Sequence, residues 1–298
     1  MSGSGAAVAE PARIDKRAAR RAFGRAASGY DRHAILQREV GTRLLAHLDP
    51  IRIAPQRMLD LGCGTGEQLA GLRRRYPGAS LIAIDLALPM LVQARQRTPW
   101  WRRTLSASAP LLACADAEKL PLPASCAELA CSNLMLQWCE APAAFAEAAR
   151  VLRTGGLFLF STFGPDTLRE LRAAFDESGG GEHVHRFVDM HDLGDALVAA
   201  GFVDPVMEME TLTLEYSTVE ALAADLRGGG GRNALPGRPR GLGGRERWRR
   251  MAERYETRRR GAILPATYEI VYGHAWKAAP RHTADGRAIV DFHPRRTP

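Results

Sequence analysis

The stretch Met58-Leu59-Asp60-Leu61-Gly62-Cys63-Gly64-Thr65-Gly66 decides how this chain is read. A short apolar run holds an acid, glycines follow at alternate positions, and Leu69 and Leu72 begin a helical spacing. The pattern describes a buried strand turning sharply into a helix, with the backbone at Gly62, Gly64 and Gly66 open to close approach by a ligand. The spacing is Gly-x-Gly-x-Gly, not the Gly-x-Gly-x-x-Gly of dinucleotide enzymes. A plain tight turn would also produce such a run. Against that reading stands a second strand, Leu81-Ile82-Ala83-Ile84-Asp85, ending in an acid about 20 residues on, where a ribose-binding carboxylate belongs. The pair favours a nucleoside-type cofactor.

Around this stretch, strands and helices alternate. Arg57–Leu61 is the first strand and Glu67–Tyr76 the first helix, stopped by Pro77-Gly78. After Leu81–Asp85, Pro89 opens a helix to about Arg97. Leu111–Ala115 and Ala127–Ser132 read as strands, Pro142 to Leu152 as a helix closed by Gly155-Gly156, and Leu157–Ser161 as a fifth strand. Such alternation implies a parallel sheet with helices on both faces. Upstream, Leu36, Val40, Leu44 and Leu48 form one face of an amphipathic helix ending near Asp49-Pro50. A basic run (Arg13, Lys16, Arg17, Arg20, Arg21) precedes it, and these helices could fold over the ligand edge of the sheet. Downstream, helices are expected at Asp166–Phe175 and Asp189–Ala200, then a long strand Val203–Tyr216. A helix, the glycine run Gly228–Gly231, a basic helix Arg245–Arg259 and a closing strand Thr267–Trp276 follow. The organisation is a disordered tail (1–12), N-terminal helices (13–50) and a Rossmann-like core (51–163). The last sheet elements with a helical cap (164–265), a closing strand (266–278) and a flexible tail (279–298) complete it.

With 298 residues and 46% hydrophobic content, the chain can bury a full core. No apolar run approaches the ~18 residues of a membrane span, and the N-terminus has no apolar segment of secretory type. Cys63, Cys114, Cys126, Cys131 and Cys139 lack metal-ligand spacing and read as reduced thiols of a cytoplasmic protein without a metal. The net charge of +8 invites nucleic acid, anionic lipid or an acidic protein. Much of the excess is local: Arg227 to Arg260 holds 12 Arg against 3 Glu.

Leu59 to Gly66, Asp85, Asp116 and the Leu152–Gly156 turn resemble class I S-adenosylmethionine-dependent methyltransferases, over roughly Tyr30 to Thr162. A narrower likeness rests on Ala22-Phe23-Gly24-Arg25-Ala26-Ala27 with Tyr30, and on Pro89 to Gln96. Ser132 to Cys139, Ser161 to Gly164, His185-Arg186-Phe187 and Pro265 to Tyr268 extend it. Together these resemble the malonyl-acyl-carrier protein O-methyltransferases of biotin synthesis. That family methylates the free carboxylate of a malonyl thioester so that fatty-acid enzymes elongate it. The resemblance implies a seven-stranded, mostly parallel sheet. The Gly228–Gly244 loop and the tail after Lys277 depart from the pattern, which bears on carrier docking more than on the cofactor site.

By the resemblance, Gly62 and Gly64 pass the methionine part of S-adenosylmethionine and Asp60 accepts from its ammonium. Asp85 takes the ribose hydroxyls, Leu86 and Met90 flank the adenine, and Asp116 with the Ala117 N–H reads its edge. Tyr30 lies over the cofactor. Asn133, Gln137 and Trp138 follow the fourth strand, where the acceptor is placed, with Asn133 toward the cofactor and Trp138 toward the substrate. Arg186 is the cation expected to hold the malonyl carboxylate. For Asp85 and Asp116 the plainer role is capping by a strand-end acid; for Arg186 it is a surface arginine, and for Tyr30 or Trp138 core filling. His183 and His185 read as loop residues, since no third metal ligand is in evidence. A carboxylate acceptor is already ionised and needs no general base, so the site needs alignment and dryness rather than a catalytic residue.

Other acceptors share the cofactor motifs. A nucleic-acid base methyltransferase would carry Asn/Asp-Pro-Pro-Tyr/Phe where this chain has Ser132-Asn133-Leu134-Met135. Another small carboxylate, a quinone carbon, or a methyltransferase-like assembly role stays open. The expected partners are malonyl-carrier protein and the malonyl thioester, including malonyl-coenzyme A, acting on a monomer away from nucleic acid and membrane.

Overall fold

The computed structural model describes residues 14–97, 109–179, 187–231 and 244–279. At the start, Asp15 accepts from the Ala18 N–H at 2.9 Å and caps helix α1, Lys16–Ala26. The ladder expected from His33 onward is split at Ala34 into a short turn, α2 (Tyr30–His33), and α3 (Ile35–Ala46). Leu36, Val40 and Leu44 of α3 are buried as the spacing requires.

The core alternates from there: β1 (Arg57–Leu61), α4 (Leu69–Arg75), β2 (Ser80–Asp85), α5 (Leu88–Arg97), β3 (Leu111–Cys114) and β4 (Ala127–Asn133). Helix α6 (Ala141–Val151) leads into β5 (Leu152–Phe163). Two of these elements start more than one residue away from the sequence reading. Helix α4 starts later because Gly66, at φ 82°, still belongs to the turn. Strand β5 starts directly at Leu152; Gly155 at φ 74° bends an extended segment instead of capping a helix. The second half adds α7 (Arg169–Glu177), α8 (Met190–Ala199), β6 (Phe202–Tyr216), α9 (Val219–Gly228), α10 (Gly244–Glu256) and β7 (Leu264–Lys277).

The strands form one seven-stranded sheet of order β3-β2-β1-β4-β5-β7-β6. The first five run parallel, and β7 slots antiparallel between β5 and β6. Period-two alternation sorts β1 cleanly: Met58 faces the layer of α3, α4 and α5, while Leu59 and Leu61 face the layer of α6 and α8. In the second layer Phe145 packs on Phe158 and Phe160 with ring centroids 5.9 and 5.5 Å apart. Burying one such ring stabilises the fold by roughly 1.5–3 kcal/mol. Among the described residues, no helix is long and apolar enough to cross a membrane. Most of both tails, residues 232–243 of the expected Gly228–Gly244 loop and the segment holding His183, His185 and Arg186 lie outside the described residues.

Candidate active site

Ligands of doubly wound sheets sit beyond the carboxyl ends of the strands, beside the switch in strand order. Here β1, the point of reversal, ends in the glycine turn. Gly62, Gly64 and Gly66 adopt φ values of 77°, 54° and 82°, which exclude most side chains. The Gly62 and Cys63 N–H groups both donate to Ile84 O at 2.8 and 2.9 Å, which tucks the turn against β2. Asp85, at the end of β2, accepts from the Gly64 N–H at 2.9 Å through Oδ2 and from the Ala87 N–H at 2.8 Å through Oδ1. The capping reading of Asp85 is therefore correct as far as it goes; each oxygen retains a further lone pair.

A cavity of about 650 Å³ opens here, partly to solvent, and Gly62, Gly64, Asp85, Leu86, Met90, Asp116, Ala117 and Asn133 all line it. Lys16, Phe23 and Met135 join them; the sequence reading placed Phe23 and Met135 in family motifs and Lys16 in the basic run, without assigning any of the three to the site. Lys16 pairs with Asp116 at 3.0 Å and with Glu118 at 2.7 Å, fastening α1 over this end of the sheet. Burial works to discharge that ammonium, but the surrounding anionic groups outweigh it and hold it charged. Asp116, Glu118 and Cys139 bring three ligand-type atoms within 4.8 Å of one another. The Lys16 ammonium is the counterion of that group.

A smaller recess behind the glycine turn is lined by Tyr30, Gln37, Asp60, Gly64, Gln68 and Asn133, among others. Asp60 is buried, and its Oδ2 has no hydrogen-bond partner. Gln37 Oε1 and both amide atoms of Gln68 are buried and unpartnered as well. Burial first, and the nearby Asp85 second, push the Asp60 carboxyl up to about 7. Buried polar atoms without partners are costly in a folded protein, so this recess is built for a polar, cationic guest. The roof is tied down by Asp31 of α2, which accepts from Thr65 Oγ1 at 2.6 Å and pairs with Arg97 at 2.7 Å. Asn133 lines the recess too, but its amide is engaged: Nδ2 donates to Gln37 O at 2.8 Å and Oδ1 accepts from Ser161 Oγ at 2.7 Å.

The third cavity, about 930 Å³ including space open to solvent, lies beneath the cap. Tyr30, Gln137 and Trp138 line it, with Phe163, Leu168 and Phe187 among the apolar walls. Phe23, Tyr30, Leu134 and Trp138 face both this cavity and the one at the glycine turn, so they form the partition between them. Phe23 and Trp138 meet edge to face at 5.0 Å. Burial, then Asp85 and Asp31, hold the Tyr30 phenol above its usual range, so it is a neutral hydroxyl. Gln137 donates to Leu134 O at 2.6 Å and accepts from Thr162 Oγ1 at 3.3 Å, which fixes its amide. One polar cluster was unforeseen: Asp225 accepts from Tyr216 OH at 2.7 Å and pairs with His33 Nδ1 at 3.1 Å, joining α9 to α2. His33 and Asp225 lie 192 residues apart in sequence and carry no motif.

A methyltransferase-domain family model matches residues 59–160. Among solved structures, the YcgJ protein of Bacillus subtilis superposes with a TM-score of 0.56 at 16% identity, covering 81% of this chain and 99% of that one. A Haemonchus contortus phosphoethanolamine N-methyltransferase, solved with S-adenosylhomocysteine, gives a TM-score of 0.50 over 80% of this chain and 52% of its own. The sheet order and the glycine-turn cavity thus define a class I methyltransferase dependent on S-adenosylmethionine. A malonyl-acyl-carrier protein O-methyltransferase of Gallionella capsiferriformans is 51% identical over 93% of this chain and 96% of its own. One from Laribacter hongkongensis is 51% identical over 94% and 96%. The chain belongs to the malonyl-acyl-carrier protein O-methyltransferase family.

Proposed function

We propose that the protein methylates the free carboxylate of malonyl-carrier protein, giving the ester that starts pimeloyl assembly for biotin. The observation that carries this is the near full-length likeness to relatives of that name, together with an apolar cavity partitioned from the cofactor cavity. The polar orphans and the glycine cradle fit S-adenosylmethionine. Asp60 would hold its ammonium, Asp85 the ribose hydroxyls, Leu86 and Met90 the adenine faces, and Asp116 with the Ala117 N–H the adenine edge. Gly62 and Gly64 would leave room for the methionine chain. When bound, the cofactor supplies a methyl group on a positively charged sulfur.

The chain's own residues then do three things. Phe23, Tyr30 and Trp138 screen the meeting point of the two cavities from water, which strips the acceptor carboxylate of hydration. The fixed Gln137 amide and the neutral Tyr30 hydroxyl orient it. The ionised acceptor surrenders no proton, so no residue serves as a base. Arg186 is our candidate for holding the malonyl carboxylate. The basic face of α10 is our candidate for docking an acidic carrier, and we place the enzyme, as a monomer, in the cytoplasm. A bacterial strain lacking its own malonyl-carrier methyltransferase should grow without biotin when it expresses this chain. Failure to grow, with soluble protein present, would remove the proposal.

A further inference from the structure

The cavity beneath the cap continues into a neighbouring hollow. Leu171, Leu226 and Gly231 line both the cavity and this hollow, a groove of about 640 Å³ between α7, α9 and α10. Phe175, Leu222, Ala223 and Trp248 form the groove's walls, and among the described residues Arg227 is the cation that lines it. Three hollows therefore follow in series: the glycine-turn cavity, the cap cavity and this groove, each sharing wall residues with the next. The far wall is firmly seated. Met251 and Tyr255 of α10 are fully buried, and Tyr255 OH donates to Pro265 O at 2.8 Å. Trp248 sits one turn before them on the same face of that helix.

A carrier-bound acyl group comes on a long arm, attached to the carrier through a phosphodiester. Resting on the proposed acceptor, we infer that the groove between α7, α9 and α10 is the passage for that arm, with Arg227 at its outer end receiving the phosphodiester. The arm's aliphatic stretch suits the apolar walls, and a guanidinium suits a phosphate oxygen pair. Charge supports the direction of entry: α10 beside the groove exposes Arg245 and Arg250, which favour an acidic partner. The carrier would then dock over the cap, not over the N-terminal helices.

The test uses the full-length enzyme with two substrates: malonyl-carrier protein, and a short malonyl thioester of N-acetylcysteamine, which has neither phosphate nor carrier. A223W fills the groove, and R227E reverses its charge on an exposed side chain. Both variants should raise KM for the carrier-bound substrate about tenfold or more, with kcat/KM for the short thioester and cofactor Kd within about twofold of wild type. In A223C, alkylation of the introduced thiol should be slowed by the carrier bearing its arm and not by the armless carrier. Equal losses on both substrates, or unchanged KM for the carrier with no protection, would overturn the passage and leave the methyl-transfer reading standing. Inactivity of the wild type on both substrates would remove both.

Discussion

Asp60 and Asp85 stand on adjacent strands, yet their surroundings set them different tasks. Two backbone N–H bonds oppose the burial that raises Asp85, while Asp60 has an unpartnered oxygen and is pushed to about 7. In the cofactor-free protein the Asp60 carboxyl thus keeps its proton across a range where an unfolded chain, at roughly 3.9, has lost it. That contribution to stability is complete below the unfolded value and is lost as pH rises through about 7. A cationic guest reverses the preference and expels the proton. Cofactor affinity should therefore rise with pH up to about 7, by at most about tenfold per unit, and level off above. Calorimetry across pH 5 to 8 checks this, and D60N should flatten the profile. D85A should weaken cofactor binding at least about tenfold, roughly 1.4 kcal/mol, at every pH. Both acids were legible in the sequence because a strand-end acid near a glycine turn has a local cause. Lys16 was not, since its partners Asp116 and Glu118 lie about a hundred residues away and nothing local marks them.

At the scale of elements, the glycine run Gly228–Gly231 was visible as a break but its purpose was not. A Cβ on Gly228 would fall 2.3 Å from the His33 ring, and one on Gly230, at φ 76°, would fall 2.5 Å from the Phe23 ring. The end of α9 is glycine-rich because the cap must come down directly onto the aromatic residues of the N-terminal helices. G228A should cost about 1–3 kcal/mol of stability, seen as a lower Tm, and raise KM for the acyl substrate more than Kd for the cofactor. The strands and their order of appearance followed from apolar runs and turn residues. Their exact reach did not: the extension of β5 back to Leu152 depends on pairing Ala127 with Leu152, a contact no local pattern records. The split of the second N-terminal helix at Ala34 is likewise a tertiary matter, since it turns Tyr30 and His33 toward the cavities.

For the whole molecule, the parallel core could be read from alternation alone and the seven-strand count came with the family pattern, whereas the insertion of β7 between β5 and β6 emerged only in the structure. The excess positive charge was plain, but its use was not. Arg249 is committed to Glu246 at 2.7 Å and Glu253 at 2.6 Å on its own helix, and Arg259 to Glu256 at 2.7 Å. Exposed pairs of this kind contribute little to stability, so the arginines of α10 are more informative as a field facing an acidic partner. R247E/R249E/R250E should raise KM for the carrier-bound substrate several-fold, with a weaker dependence on salt than wild type, and leave cofactor Kd unchanged. An unchanged KM would detach carrier docking from this helix. The central claim is carboxyl O-methylation of a carrier-bound malonyl group. Its most direct test supplies methyl-labelled S-adenosylmethionine with malonyl-carrier protein and, in parallel, the unacylated carrier. We expect label on the malonyl carrier alone, released as methanol by mild base. Label on both carriers, label stable to base, or no transfer despite demonstrated cofactor binding would contradict the account.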